Sequence, residues 1–142
     1  MADHAYAIQM SAYFQGTHDL ATATIKLCLV NIAAGHYTPN FITDQFLSAI
    51  ASGDRIAFSA ALTGVTVTQA SGPSSIFNAS NTVFSSVSGS AGGALVLFID
   101  TGNPATSPLL AYFDSYSGLP VTPAGADINV AFNGSGIQVM NG

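Results

Sequence analysis

The most regular feature of the sequence is a series of short apolar segments in which apolar and polar residues alternate, as along half-buried β-strands. Glycine, proline, asparagine and serine fill the gaps between these segments, so that turn-forming residues recur about every 8–12 residues. This spacing is typical of β-sandwiches and β-barrels, and it predicts an all-β fold. The predicted strands cover residues 5–14, 22–30, 55–62, 64–69, 76–77, 82–87, 94–99, 109–114, 128–132 and 137–140.

One segment, residues 43–52, departs from the strand pattern and predicts a short helix. Thr43 is a suitable N-cap, Asp44 would lie in the first turn, and Gly53 follows where a C-cap would fall. We therefore expect one short helix in an otherwise all-β chain.

The length of the chain and the continuity of its pattern predict a single domain over residues 1–142. A chain of 142 residues can bury about 70% of its unfolded surface, which is enough for a core without disulfides. Neither an internal repeat nor a linker interrupts the pattern. The pattern leaves a β-sandwich and a β-barrel open. Together with the resemblance described below, we expect a β-sandwich that is jelly-roll-like, with the helix against an edge or end and residues 1–5 as a flexible arm.

The charge of the chain excludes two classes of partner. Only 6% of residues are charged, and Lys26 and Arg55 are the only cations against seven acidic residues, which gives a net charge of -5. A nucleic-acid-binding protein needs a basic stripe, and a peripheral membrane protein needs cations near anionic lipid. We therefore expect no nucleic-acid or membrane partner. The sequence also contains no run of about 18 apolar residues, so we expect no transmembrane helix, and no basic region at its start, so we expect no secretory signal.

Serine, threonine, asparagine and glycine supply the polar surface that charged residues supply in most proteins. Such a surface has little charge to desolvate when another protein covers it, and the cores of interfaces are depleted in charge for this reason. The composition therefore favours a protein that assembles with others.

The motif Asp100-Thr101-Gly102 matches the active-site signature of aspartic proteases, in which two carboxylates share a proton. One motif per chain would require a two-fold dimer. The following residues 103–142 have the pattern of strands and turns, whereas the dimeric proteases place the motif early and end in a helix. Because Asp, Gly, Asn and Pro are all turn formers, we interpret residues 100–104 as a turn after a strand, with a homodimeric protease using Asp100 as a remote alternative.

The segment before this turn, residues 94–99, is apolar at every position, which is typical of a strand buried on both faces. Alternation predicts Leu95, Leu97 and Ile99 on one face of this strand and Val96 and Phe98 on the other. A charge at Phe98 is accordingly expected to unfold the domain.

Other candidate sites have simpler interpretations. The glycine run at residues 89–93 lacks the Lys and the following helix of a phosphate-binding loop, which indicates a turn. None of the histidines has a second ligand at metal-binding spacing, so we expect solvated loop residues and no metal. The histidines are His4, His18 and His36.

Three further features also carry no predicted chemistry. Cys28 is the only cysteine and lies in an apolar run, as expected of a small core residue. Tyr112, Phe113 and Tyr116 could line a carbohydrate platform, but core positions are the favoured interpretation. A Ser-His-Asp triad stays open, although no Gly-x-Ser-x-Gly elbow is present. We predict a non-enzymatic protein without catalytic residues, metal or cofactor.

Four segments together resemble a group of small virion proteins of tailed bacteriophages. The last of them contains Thr-Pro-Ala-Gly, where the group is expected to have Thr-Pro-Asn-Gly, so the chain departs from the pattern at Ala124. The segments are residues 22–30, 93–102, 108–114 and 118–128.

The better understood relatives in this group are capsid decoration, or cement, proteins: small β-sandwich modules that clamp capsid subunits from outside. The resemblance implies a protein that is made in the host cytoplasm and placed on the outer surface of the virion. Its implied partners are the major capsid protein and itself, as a dimer or trimer. A tail, tail-fibre or adaptor component of the virion is the alternative.

Overall fold

A computed structural model describes residues 4–17, 19–20, 22–69, 74–116, 118–132 and 137–141, and all structural statements below concern these residues. They form antiparallel sheets and one short α-helix, which confirms the predicted predominance of β structure. The strands are β1 His4–Ala5, β2 Ile25–Val30, β3 Arg55–Phe58, β4 Thr66–Gln69, β5 Ser74–Asn78, β6 Thr82–Phe84, β7 Ala94–Ile99, β8 Leu109–Phe113, β9 Ile128–Val130 and β10 Ile137–Asn141. The α-helix, α1, is Ala7–Phe14, and 3-10 turns lie at Leu47–Ala49 and Ser52–Asp54.

The largest sheet has five strands in the order β1-β8-β7-β2-β3, and every neighbouring pair is antiparallel. Strand β7 lies at its centre and pairs with β2 along its whole length, from Ile25 opposite Ile99 to Val30 opposite Ala94. A three-stranded sheet has the order β10-β5-β4, and β6 pairs with β9. The predicted strand at residues 94–99 is thus confirmed, and it is the central strand of the main sheet.

Apolar side chains are buried on both faces of the main sheet. On one face, Leu95 and Leu97 belong to a cluster that includes Phe77 of β5, Phe84 of β6 and Val130 of β9. On the other face, the buried cluster consists of Tyr6, Cys28, Val30, Tyr37, Leu47, Ile50, Ala94, Val96, Phe98, Leu109 and Tyr112. The predicted division of β7 into two buried faces is therefore confirmed.

The strand predicted over residues 5–14 is wrong, because Ala7–Phe14 is an α-helix. A short and nearly all-apolar run does not distinguish a period of two from one of 3.6. The helix ends in a glycine C-cap: Gly16 has a φ of 72°, and the N–H of Thr17 donates to the carbonyl of Ala12 at 2.9 Å. No helix in the described ranges, α1 included, is long and apolar enough to cross a membrane.

The helix predicted over residues 43–52 is also wrong, since only a 3-10 turn at Leu47–Ala49 forms within it. The N–H groups of Leu47 and Ser48 donate to backbone carbonyls in residues 104–107, at 2.8 and 3.0 Å. Pairing with this distant loop uses groups that a regular helix would have bonded internally. Tertiary hydrogen bonding therefore overrides the local helix signals.

The expected arm over residues 1–5 is corrected at its last two residues, and residues 1–3 lie outside the described ranges. His4 and Ala5 form β1, which pairs with β8 at one edge of the main sheet. The next residue, Tyr6, is fully buried. Burial of the tyrosine ring ties this end of the chain to the fold.

Candidate functional site

Asp100 lies directly after β7 and organises the turn that leads to β8. The N–H of Gly102 donates to Asp100 Oδ1 at 2.9 Å, and the φ of Gly102 is 85°, a value that favours glycine. The N–H of Thr101 donates to Ser107 Oγ at 3.1 Å. These bonds confirm the interpretation of the Asp-Thr-Gly motif as a turn.

The second oxygen of Asp100 pairs with Lys26 of β2. Lys26 Nζ lies 2.6 Å from Asp100 Oδ2, and about a quarter of each side chain is exposed, 28% and 24% respectively. The hydrogen bond from Lys26, followed by that from the Gly102 N–H, holds the pKa of Asp100 below its ordinary range. Asp100 is therefore ionised at neutral pH, whereas a catalytic aspartate of a protease shares a proton with its partner.

A pocket of about 230 Å³ lies beside this ion pair, on the face of the main sheet that carries Phe98. It is bounded by β2, β3, the end of β7 and the loop that follows Asp100. We call it the Arg55 pocket, and its lining includes Lys26, Arg55, Phe58, Phe98, Asp100 and Asn103.

Arg55 enters the pocket because β3 pairs with β2 at the edge of the main sheet. Its Nε–H donates to the carbonyl of Ile50 at 2.8 Å, which fixes the plane of the guanidinium. Within the described ranges, no carboxylate lies within 4.0 Å of the Arg55 nitrogens, whereas Asp100 contacts Lys26 and Asp54 contacts His36. The guanidinium is thus oriented but carries no ionic partner from the described chain.

An aromatic pair forms the apolar wall of the Arg55 pocket. The ring of Phe58 lies 5.8 Å from that of Phe98, at an interplanar angle of 70°. Phe98 is buried, at 1% exposure, whereas Phe58 is 46% exposed although it lies in a strand. The pocket therefore presents an arginine next to an accessible apolar ring.

This arrangement suits the binding of an anionic group. A guanidinium forms paired, charge-assisted hydrogen bonds with carboxylates, and the neighbouring ring can cover apolar atoms of the same ligand. The sequence shows Lys26 and Arg55 only as separated cations. Their convergence depends on the pairing of β2 with β3 across residues 31–54, which no local pattern reveals.

The glycine run at residues 89–93 is part of the packing of the fold. The N–H of Gly92 donates to the carbonyl of Val121 at 2.9 Å. A Cβ at Gly92 would lie 2.4 Å from the side chain of Leu29, so the backbone approaches the core too closely for any side chain. Close packing against Leu29 therefore explains why glycine lies at position 92 of this run.

The two histidines within the described residues have different neighbours. The ring of His4 lies 4.5 Å from that of Phe41, and His36 Nδ1 lies 2.7 Å from Asp54 Oδ1, while His18 lies outside the described residues. In the part of the chain that the structure describes, no three His, Cys, Asp or Glu side chains are grouped so that they could hold a metal ion.

The remaining candidates are core residues or close to the core. Tyr112 and Phe113 are 1% and 2% exposed, which confirms the core interpretation over a carbohydrate platform. Tyr116 is half-buried, and its hydroxyl accepts the N–H of Ala131 at 2.8 Å. Cys28 is fully buried as predicted, and burial raises the pKa of its thiol to about 12.

A series of hydrogen bonds that no sequence pattern indicates joins the segment over residues 31–54 to Tyr6 near the start of the chain. The hydroxyls of Tyr6 and Tyr37 lie 2.8 Å apart, and Tyr37 donates to Asp44 Oδ2 at 2.8 Å. Burial raises the pKa of both tyrosines. The hydroxyls therefore stay protonated, and their hydrogen bonds hold residues 37–44 beside the buried cluster on the Phe98 face of the main sheet.

The comparisons with known proteins assign no family to the chain. No protein-family model matches it, and the search of curated proteins finds no match. The functional conclusion therefore depends on the residues themselves.

Proposed function

We propose that the chain is a non-enzymatic virion structural protein, a decoration or cement protein that binds the outside of a tailed-bacteriophage head and stabilises it. The observation that carries the proposal is a surface that exposes large apolar side chains and has few charged residues. The resemblance of four segments to phage virion proteins supplies the particular assembly.

Exposed apolar side chains are distributed over several elements of the fold. Ile42 is 74% exposed, Val67 48%, Phe58 46% and Val83 36%. Only 6% of the chain is charged, so covering this surface desolvates few charged groups, and those beside Phe58 line the Arg55 pocket. Such a surface suits a protein that is soluble alone and is later covered by a large protein partner.

Open strand edges support self-association as a dimer or trimer. In the described ranges β4 pairs only with β5, and Thr66, Val67 and Thr68 are all exposed. An edge of this kind, without charge or proline, lacks the features that normally prevent strand pairing between molecules. Pairing of such edges in a closed symmetric oligomer would cover them.

The proposal extends to the finer architecture, a jelly-roll-like β-sandwich. The buried cluster that Phe77, Phe84 and Val130 share with the main sheet supports two packed layers. The jelly-roll part depends on the resemblance alone.

The environment of Asp100 supports a non-enzymatic role over the aspartic protease. A carboxylate that pairs with Lys26 at 2.6 Å is stabilised in its charged form. Sharing a proton with a second carboxylate requires the opposite. No nucleophile or acid-base role is assigned to Asp100.

The test mixes the purified protein with expanded phage heads that lack their decoration protein, followed by sedimentation and electron microscopy. We expect saturable binding to the outer surface of the shell and a rise in the temperature at which the shell disassembles. Failure to bind the shell would contradict the proposal. Labelling of the tail instead would favour the tail, tail-fibre or adaptor alternative.

A further inference from the structure

The Arg55 pocket concentrates the positive charge of an otherwise acidic protein. The chain has a net charge of -5, and both of its cations line this one pocket. Asp100 neutralises Lys26 at 2.6 Å, whereas no described carboxylate pairs with Arg55. The pocket is therefore locally positive although the protein as a whole is negative.

The protein fold orients the Arg55 guanidinium before a ligand binds. Its Nε–H bond to the Ile50 carbonyl, at 2.8 Å, anchors one edge of the group. The two terminal nitrogens of Arg55, which carry the other N–H donors of the guanidinium, remain available to a ligand. A donor group that is already oriented loses little entropy on binding, which is the usual advantage of preorganisation.

We propose that the Arg55 pocket binds a carboxylate side chain of a partner protein, with an apolar residue of the same partner covering Phe58. The partner is the one that the proposed function requires, an acidic side chain on the outer face of the capsid, and this identity rests on that function. The carboxylate chemistry of the pocket stands without it.

The size of the pocket favours one side chain over a cofactor or metabolite. Its volume is about 230 Å³, below the range of about 300–1,000 Å³ that is typical of small-molecule sites. Phe58 in the pocket wall is 46% exposed. A small ion bound in the pocket would leave part of this apolar ring uncovered. A protein surface can fill the pocket and cover the ring at once.

The distribution of charge on the protein also favours one orientation of the protein relative to its partner. An acidic surface that approaches the exposed carboxylates of this protein is opposed by like charge. Only at Arg55 does a carboxylate meet an unpaired cation among the described residues. The pocket would therefore set which way the protein docks.

The first experiment tests the pocket by NMR, with benzoate as the probe and benzamide as the uncharged match. Arg55 is the only arginine in the chain, so its Nε–H signal is assigned without ambiguity. We expect benzoate to shift this signal and the Phe58 ring signals saturably, with a Kd on the order of 10 mM. Benzamide should not do so, and Arg55→Met should abolish the benzoate response.

The second experiment measures binding of the same variants to expanded heads that lack the decoration protein. Arg55→Met should weaken binding about tenfold or more and reduce its dependence on salt. Arg55→Lys keeps the charge but loses the paired donors, so it should fall between the parent and Arg55→Met. Ser88→Asp, at an exposed position outside the pocket lining, gives the same net charge as Arg55→Met and should bind like the parent.

The outcomes separate the two proposals. No saturable benzoate response, or equal binding of heads by the parent and Arg55→Met, overturns the inference. Equal weakening by Ser88→Asp also overturns it, because net charge alone would then explain the effect. If the parent does not bind heads at all, the proposed function and the capsid partner fail, while the NMR result still decides whether the pocket binds carboxylates.

Discussion

Removal of the Phe98 ring tests whether β7 is buried on both faces. The side chain is 1% exposed, and it packs edge-on against Phe58 with ring centres 5.8 Å apart. Phe98→Ala at such a site costs about 3–5 kcal/mol through lost burial and an unfilled cavity. A domain of this length has a total stability of about 7–20 kcal/mol at ordinary values per residue, so the loss is a large fraction.

Urea denaturation followed by far-UV circular dichroism measures this cost. With an m-value of about 2 kcal/mol/M, the loss lowers the urea midpoint by about 2 M. Phe58→Ala is the matched control, because it also removes a phenyl ring, but from a position that is 46% exposed. Its expected cost is about 1–2 kcal/mol, from partial burial and the lost ring contact.

An equal cost for the two variants would refute the burial of β7 on this face.

A charged substitution also tests the burial of this face, and the structure decides at which position it should be made. A carboxylate introduced at position 98 would lie in the pocket that Lys26 and Arg55 line, where the unpaired Arg55 would compensate its charge. Val96→Asp is the more stringent test, since Val96 is fully buried on the same face and does not line that pocket. This variant should not yield folded protein.

Three further predictions follow from single contacts. Tyr37→Phe should lower the free energy of unfolding by about 1–3 kcal/mol in urea titrations, because Tyr6 and Asp44 each lose a hydrogen bond to the Tyr37 hydroxyl. An unchanged urea midpoint would contradict a stabilising role for these hydrogen bonds. Gly92→Ala should be destabilising in the same assay, because its Cβ would lie 2.4 Å from Leu29; a parental midpoint would show that the core yields easily. Lys26→Met should raise the pKa of Asp100 toward its ordinary range, as measured by carboxyl NMR. In the parent, the depressed pKa adds stability that is fully present above the ordinary aspartate pKa of about 4 and is lost as the pH falls through the folded-state pKa. A pKa of Asp100 that stays depressed in the variant would show that the Gly102 N–H alone holds it down.

Strands β2, β7 and β8 of the main sheet are the most predictable part of the fold. Ala94–Ile99 was predicted with its observed bounds, because an apolar run between turn formers leaves little choice in a β-rich chain. The errors lie where local signals compete with distant contacts. Residues 43–52 have helix signals, yet hydrogen bonds to residues 104–107 decide their conformation.

The candidate site was only half visible in the sequence. Asp100 was found because its motif is local, and its role in the turn followed from the identities of its neighbours. Its ion pair with Lys26 and the approach of Arg55 depend on which strands pair. That pairing is set by the packing of whole faces, so it cannot be read from the spacing of the cations.

The number of copies of this protein in each virion tests the proposed function most directly. Quantitative mass spectrometry of purified particles, normalised to the major capsid protein, gives this number. A decoration protein of the head should be present in copies that scale with the capsid subunits, on the order of hundreds for shells built from many symmetric repeats. About a dozen copies or fewer would place it in a tail ring or adaptor, and its absence from particles would contradict a virion role altogether.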